Sequence, residues 1–204
     1  DGALAAIKLL AQKLPAEAII KMSLLKEGQS SRLVIYSRAL SPPPESVGLQ
    51  LESSGRINEN SVLTGHKTHN YLENLLALEA ARKVGCLDAL RLNSRGQVAE
   101  GAISNIFFYR DGCLHTPHLD SGALPGVVRG VVLDSFPVQQ EIYTRQDLLW
   151  ADGVFLTNAS FGIVPVDWMW SEGAVVRLQS GEHPGYREVK CQLSEHLRSS
   201  AIKI

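Results

Sequence analysis

The sequence is poor in the features that would assign it quickly to a class. Its 204 residues include three cysteines, Cys86, Cys113 and Cys191. They are odd in number, widely spaced and free of any CxxC pair, which argues against a disulfide framework or a thiolate zinc site and for a reducing cytoplasm. They read as small, partly buried hydrophobes. Neither charge sign is in excess, since 20 Lys plus Arg meet 21 Asp plus Glu for a net charge of −1. No global field therefore favours nucleic acid or an anionic membrane. No apolar run nears the roughly 18 residues a membrane helix needs. The opening stretch could pass for a signal peptide, but Lys8, Gln12 and Lys13 interrupt it. No internal repeat is visible. Glycine, at 17, and proline, at 9, stay near ordinary usage, which excludes collagen-like and linker-dominated chains. An initiator Met is also missing, as the chain opens DGALAAIKLL.

What is present is 45% hydrophobic and 20% charged, enough apolar material for one large domain or two small ones. Ser41-Pro42-Pro43-Pro44 is the strongest punctuation, because neither a helix nor a central strand can cross it. We expect a boundary there, with residues 1–42 the remnant of a small N-terminal domain and 43–204 a larger one. Before it, Leu4, Ile7, Leu10 and Leu14 have helical spacing over about 2–14, and Arg32–Tyr36 reads as a strand. After it, Val47–Leu51 reads as a strand and about 69–84 as a helix. That helix would bury Leu72, Leu75, Leu76, Ala80 and Val84 and end at Gly85. Strands are expected at Ala89–Leu92, Gln97–Glu100, Ile103–Tyr109 and Cys113–Thr116, the last two joined by an Asp111-Gly112 hairpin. Pro125-Gly126 opens a helix to about Ser135. Gln139–Tyr143 and Gly153–Thr157 read as strands, Arg145–Trp150 and Leu193–Ala201 as helices. Hairpins mixed with isolated helices indicate an α+β fold and not a doubly wound parallel sheet.

Chemistry-bearing motifs are sparse. His66 with His69, and His115 with His118, have HxxH spacing but lack an acidic partner or a zinc pattern. They read as solvated or capping histidines, and no metal is expected. There is no GxSxG elbow. Gly122, Gly126 and Gly130 are four apart without a Walker or Rossmann signature. The free N–H groups of Val127 and Val128, at the start of a helix, could hold a phosphate. Lys67 follows Gly65 and precedes an apolar helix. A lysine there could turn inward, where desolvation would make it nucleophilic, or remain a surface lysine beside a helix start. Its position alone does not decide.

Four blocks bear on that choice: HKTHNYLENLLALEAARKVG (66–85), VAEGAISNIFF (98–108), LHTPHLDSGALPGVVRG (114–130) and FLTNASFGIVPV (155–166). In this order they resemble the fold-type IV family of pyridoxal-phosphate enzymes, which includes branched-chain and D-amino-acid aminotransferases and 4-amino-4-deoxychorismate lyase. The resemblance implies the two-domain architecture of D-amino-acid aminotransferases, a pyridoxal 5'-phosphate cofactor, a small-molecule substrate and a homodimer. It makes Lys67 the lysine that bonds to the cofactor and acts as general base and acid. Glu100 would face the pyridine nitrogen, where a carboxylate keeps the ring protonated and able to accept electrons. Tyr71 would lie against the phenolic oxygen and Leu124 on the ring face. Val127 and Val128, with Asn158 and Ala159, would hold the phosphate. Against the family the small N-terminal domain is incomplete, including the arginine that members place on the phosphate, and the chain is expected to be N-terminally short.

The same resemblance bears on the reaction. Transaminases of the family carry a Gly/Ser-Thr-small-small-Glu pattern where this chain has Asn158-Ala159-Ser160-Phe161-Gly162. The run from Thr157 into Ile-Val-Pro-Val is similar to that of the aminodeoxychorismate lyases. The expected activity is conversion of 4-amino-4-deoxychorismate to 4-aminobenzoate and pyruvate for folate synthesis. The alternatives are an aminotransferase for branched-chain or D-amino acids and a non-catalytic binding relative.

Overall fold

The computed structural model describes residues 2–14, 18–51 and 55–199. They fall into two compact units that divide between Pro42 and Pro43. In the first, helix α1 (Gly2–Ala11) precedes a long antiparallel hairpin of β1 (Ala18–Glu27) and β2 (Ser30–Ala39). β1 is an addition to the expected elements. Its residues lack the alternation of a half-buried strand, and full pairing with β2, from Ala18↔Ala39 to Glu27↔Ser30, holds it extended.

The second unit is built on one mixed sheet. Its strands are β3 (Val47–Gln50), β4 (Asp88–Leu92), β5 (Val98–Gly101), β6 (Asn105–Arg110), β7 (Cys113–Pro117), β8 (Val138–Glu141), β9 (Gly153–Asn158), β10 (Gly162–Ser171) and β11 (Ala174–Arg177). They lie in the order β5-β4-β3-β10-β9-β6-β7-β8, with β11 paired to β10. Antiparallel pairs dominate, and β3 runs parallel to both β4 and β10. This is the α+β class expected from the hairpins. The β6–β7 hairpin turns at Asp111 and Gly112, both at positive φ, the conformation a two-residue Asp-Gly loop favours.

Both faces of the sheet are covered, and β6 shows how. Ile106 and Phe108 face a core with Leu49, Leu90, Leu148 and Leu156. Phe107 and Tyr109 face the opposite way, toward α3 (Val127–Ser135) and α5 (Pro184–Ser199) through Val128, Val132, Tyr186, Val189 and Leu193. Phe107 stacks on Phe155 with ring centres 5.3 Å apart. α5 begins at Pro184, well before the expected Leu193, because Tyr186 and Val189 extend its apolar stripe. Of the residues expected to end it, Ala201 lies outside the described residues. The short α4 (Arg145–Leu149) carries a Thr144/Asp147 capping box.

Helix α2 (Leu72–Lys83) corrects the expected face. Leu72, Leu75 and Leu76 are exposed, and the helix buries Ala77, Leu78 and Ala81 against Cys86, Ala89 and Ala102. Small residues let the helix approach the sheet closely, and that outweighs the larger leucines on the neighbouring face.

Candidate functional site

Strand β5 delivers Glu100 to the centre of the site. Its Oε2 accepts hydrogen bonds from the Leu124 N–H at 2.8 Å and from Asn105 Nδ2 at 3.3 Å. Asn105 Nδ2 also donates to the Leu124 carbonyl at 2.8 Å. The asparagine fits there because Gly126 has no Cβ; one would stand 2.1 Å from Asn105 Oδ1. Burial pushes the Glu100 carboxyl up to about 7, opposed by the Leu124 N–H and the Lys67 charge and reinforced by Asp88. A group in this state is short of positive partners. A cation set against it would restore the carboxylate.

The turn that follows, Gly101–Ser104, gathers the other elements. The Ala102 carbonyl accepts from Tyr71 Oη at 2.7 Å and from Asn74 Nδ2 at 2.8 Å. The Ile103 carbonyl accepts from Asn158 Nδ2 at 3.0 Å. Beneath the turn lies fully buried Asp88, which accepts from Ser104 Oγ at 2.6 Å, Ala89 N at 2.8 Å and Ile103 N at 3.3 Å. Burial pushes its carboxyl up to about 6. Arg91, buried and cross-strand from Glu100, holds the start of α2 through Glu73 at 2.9 Å.

Lys67 is exposed, so the inward-turned lysine is not what this chain adopts. The residues before it form surface turns, and its Nζ lies over the Tyr71 ring, 4.8 Å from the centroid. The Tyr71 hydroxyl proton is engaged by Ala102, and burial raises its pKa.

The other end of the site is made of backbone. Gly126 caps α3 in an extended conformation and offers no side chain. The first bond of that region runs from Gly130 N to Gly126 O. Among the described residues, nothing accepts from the N–H groups of Val127 and Val128. Such groups suit an anion. Asn158 shapes the second turn, with its Oδ1 accepting from Ser160 N at 2.8 Å and Phe161 N at 2.9 Å. Beside it, the buried Thr157 Oγ1 has no hydrogen-bond partner, a donor free for a bound polar group. Together these groups can hold a planar cationic ring at Glu100, an anionic tail at two main-chain turns and a reactive carbonyl near an exposed amine.

Hydrogen bonds thus connect Tyr71, Glu100, Leu124 and Asn158 through the 101–104 turn and Asn105, with Lys67 against Tyr71. Val127 and Val128 enter through Gly126, and Ala159 is exposed on its turn. Asn105, Asn74, Asp88, Arg91 and Thr157 were not anticipated as functional residues. Asn105 lies inside the VAEGAISNIFF block, so its position was visible and its role was not. Asp88 and Arg91 carried a weaker signal, as charged residues in an otherwise apolar strand. The histidine pairs hold no metal-ligand geometry: His66 and His69 are exposed, His118 accepts from Asp120 N, and buried His115 meets Tyr143 Oη at 2.9 Å.

Comparisons with known proteins agree on a family. The model of the family described as Amino-transferase class IV matches residues 1–168. The branched-chain-amino-acid aminotransferase of Escherichia coli K12 is 32% identical over 128 residues, 60% of this chain and 41% of that protein. The aminodeoxychorismate lyase of Bacillus subtilis is 34% identical over 130 residues, 60% of this chain and 44% of that one. This chain therefore spans less than half the length of those two relatives. The crystal structure of the branched-chain amino acid aminotransferase from Thermobaculum terrenum, in its PLP form, is similar at TM-score 0.74 and 28% identity, over 84% of this chain and 58% of that one.

Proposed function

The chain belongs to the class IV aminotransferase family, and from that premise we propose that its second unit holds pyridoxal 5'-phosphate and converts 4-amino-4-deoxychorismate to 4-aminobenzoate and pyruvate. The residues present suit that cofactor. Glu100 would face its ring nitrogen, the amides of Val127 and Val128 and the Asn158-Ala159 turn would hold its phosphate, Leu124 would pack on the ring, and Lys67 would bond to its aldehyde. When bound, pyridoxal phosphate supplies a conjugated ring that takes up the electrons left when a proton departs beside the substrate's nitrogen.

The chain's own groups do the rest. A ring N–H⁺ set against the buried Glu100 carboxyl would hold it as a carboxylate, because that cation would replace the solvation that burial removed. Arg91 and Asp88 hold the strand and turn that aim it. With the cofactor bound, Lys67 would remove the proton from the substrate ring carbon bearing the nitrogen, and cleavage of the ether carbon–oxygen bond on the neighbouring ring carbon would expel enolpyruvate and leave an aromatic ring. The proton held by Lys67 would then go to the methylene carbon of enolpyruvate, giving pyruvate. The amide-lined phosphate site needs no cation beside the reacting amine.

One observation carries the choice of lyase over aminotransferase. Gly162 adopts φ +70, a left-handed conformation that disfavours the glutamate found there in transaminase members of the family. Asn158 closes the same turn with two side-chain hydrogen bonds, and Ala159 stands where transaminases carry threonine. The second reading, a branched-chain aminotransferase, has the similarity to the Escherichia coli enzyme in its favour. Incubation with aminodeoxychorismate and no keto acid separates the two. The lyase releases pyruvate and 4-aminobenzoate in equal amounts. Intact, yellow protein that releases no pyruvate, and turns to the pyridoxamine form with an amino acid, refutes the lyase and supports the aminotransferase.

A further inference from the structure

We propose that Glu59 is a positioning residue for Lys67, clamping the loop that carries the lysine to the hairpin that carries Glu100. This rests on the reading above that Lys67 is the residue that bonds to the cofactor. The side chain of Glu59 is only 2% exposed although it starts from a surface loop. Its Oε1 accepts from Ser94 Oγ at 2.8 Å and from Arg95 Nε at 2.9 Å, and its Oε2 accepts from Ser94 N at 3.1 Å. Ser94 and Arg95 form the turn between β4 and β5, the strand that ends at Glu100 and Gly101. Three bonds to one carboxylate, one of them from a guanidinium, make a specific anchor.

The surrounding geometry explains why an anchor is needed. From Asn58 to His66 the chain closes mostly on itself: Ser61 N donates to Asn58 O, Thr64 N to Ser61 O, His66 N to Leu63 O, and Thr64 Oγ1 to Asn58 O. These turns fix the shape of the loop without fixing where it sits. Two ties do that. Ile57 N donates to Leu92 O at 2.9 Å, and Glu59 reaches the β4–β5 turn. The loop also presses on Gly122, where a Cβ would lie 2.7 Å from Ile57 Cγ2 and 3.5 Å from Glu59 Cβ. Gly122 leads directly into Ala123, Leu124 and the Glu100 contact. Glu59 therefore sits where the lysine loop, the Glu100 hairpin and the Leu124 turn meet. Its own main-chain N–H, then the Ser94 hydroxyl, the Ser94 N–H and Arg95 hold the carboxyl at about 2 while burial opposes them, so it accepts as a full carboxylate at working pH.

The test uses the whole chain with Glu59→Ala and Glu59→Gln and separates positioning from general damage. Pyridoxamine phosphate, which has no aldehyde, reports the phosphate and ring site without Lys67. Borohydride-reducible attachment of pyridoxal phosphate reports Lys67. For Glu59→Ala we expect attachment to slow by about tenfold, the scale on which small displacements of a reacting group act, with pyridoxamine phosphate affinity within about twofold of native. Amide exchange from Ser61 to His66 should rise about tenfold. Glu59→Gln keeps the oxygen shared by the Ser94 hydroxyl and Arg95 and should recover most of the rate. If Glu59→Ala does not fold, Ser94→Ala removes the 2.8 Å bond alone and should show the same split at smaller size. Unchanged attachment and exchange, or equal losses with both ligands, overturn the proposal. Native protein that takes no pyridoxal phosphate on Lys67 overturns the cofactor reading and this inference with it.

Discussion

The two buried carboxyls make a pH dependence that can be worked out and measured. Glu100 rises from 4.5 to about 7, chiefly by burial, and Asp88 from 3.8 to about 6 for the same reason. A carboxyl whose folded pKa is raised binds its proton more tightly in the folded chain, so stability is fully present below the unfolded pKa and is lost as pH rises through the folded one. Integrated between pH 5 and pH 7.5, Glu100 accounts for a loss of about 2 kcal/mol and Asp88 for about 1 kcal/mol. Carboxyls held below their ordinary values, such as Glu59 and Asp147, are largely ionised in both states across this window and add only a slight slope of the opposite sign. Urea unfolding of the cofactor-free protein at intervals over that range should show stability falling by roughly 3 kcal/mol. Glu100→Gln should leave only the Asp88 share, about 1 kcal/mol. Saturating pyridoxal phosphate should also remove the Glu100 share, by presenting a cation to it. Stability that rises with pH, or a slope that Glu100→Gln does not reduce, refutes the argument that burial dominates at Glu100.

Other consequences follow from the packing. Leu78→Ala, on the buried face of α2, should cost about 2–4 kcal/mol, while Leu75→Ala on the exposed face should cost under about 0.5 kcal/mol; equal losses in urea unfolding would contradict the helix orientation. Gly126→Ala forces Asn105 away from Glu100 and Leu124 and should weaken pyridoxal phosphate binding at least about tenfold, or 1.4 kcal/mol, as read by titration of its absorbance. Gly162→Ala, at φ +70, should destabilise by about 1 kcal/mol, and a stabilised variant would show that the turn relaxes freely.

Local chemistry made much of this fold legible and long-range contact hid the rest. The Asp111-Gly112 turn, the α3 start at Pro125-Gly126 and the apolar runs of β6 and β9 each follow from a few adjacent residues. α2 was legible as a helix but not by face. Its leucines outweigh its alanines in any hydrophobic sum, yet the face that meets Ala89 and Ala102 is made of Ala77 and Ala81 with the single leucine Leu78. β1 depends on β2 for its extension, and β10, set between β3 and β9, carries Pro165 inside it, a residue that argues against a central strand. In the site, the resemblance marked Lys67, Glu100 and the two phosphate turns, because those residues fall in recognisable blocks. The groups that hold them in place did not stand out: Asn105 joins β6 to Leu124, Asp88 reaches Ser104 from another strand, and Glu59 reaches Ser94 across the unit. No spacing rule links residues that only the folded sheet brings together.

The central claim is that Lys67, near Glu100, is the residue that bonds to pyridoxal phosphate. Its most direct test is borohydride reduction of the protein with pyridoxal phosphate, followed by peptide mapping by mass spectrometry. The account predicts one stoichiometric pyridoxyl-phosphate adduct, on Lys67, absent from Lys67→Ala and much reduced in Glu100→Ala. A stoichiometric adduct on another lysine, or none on a folded protein, would contradict it.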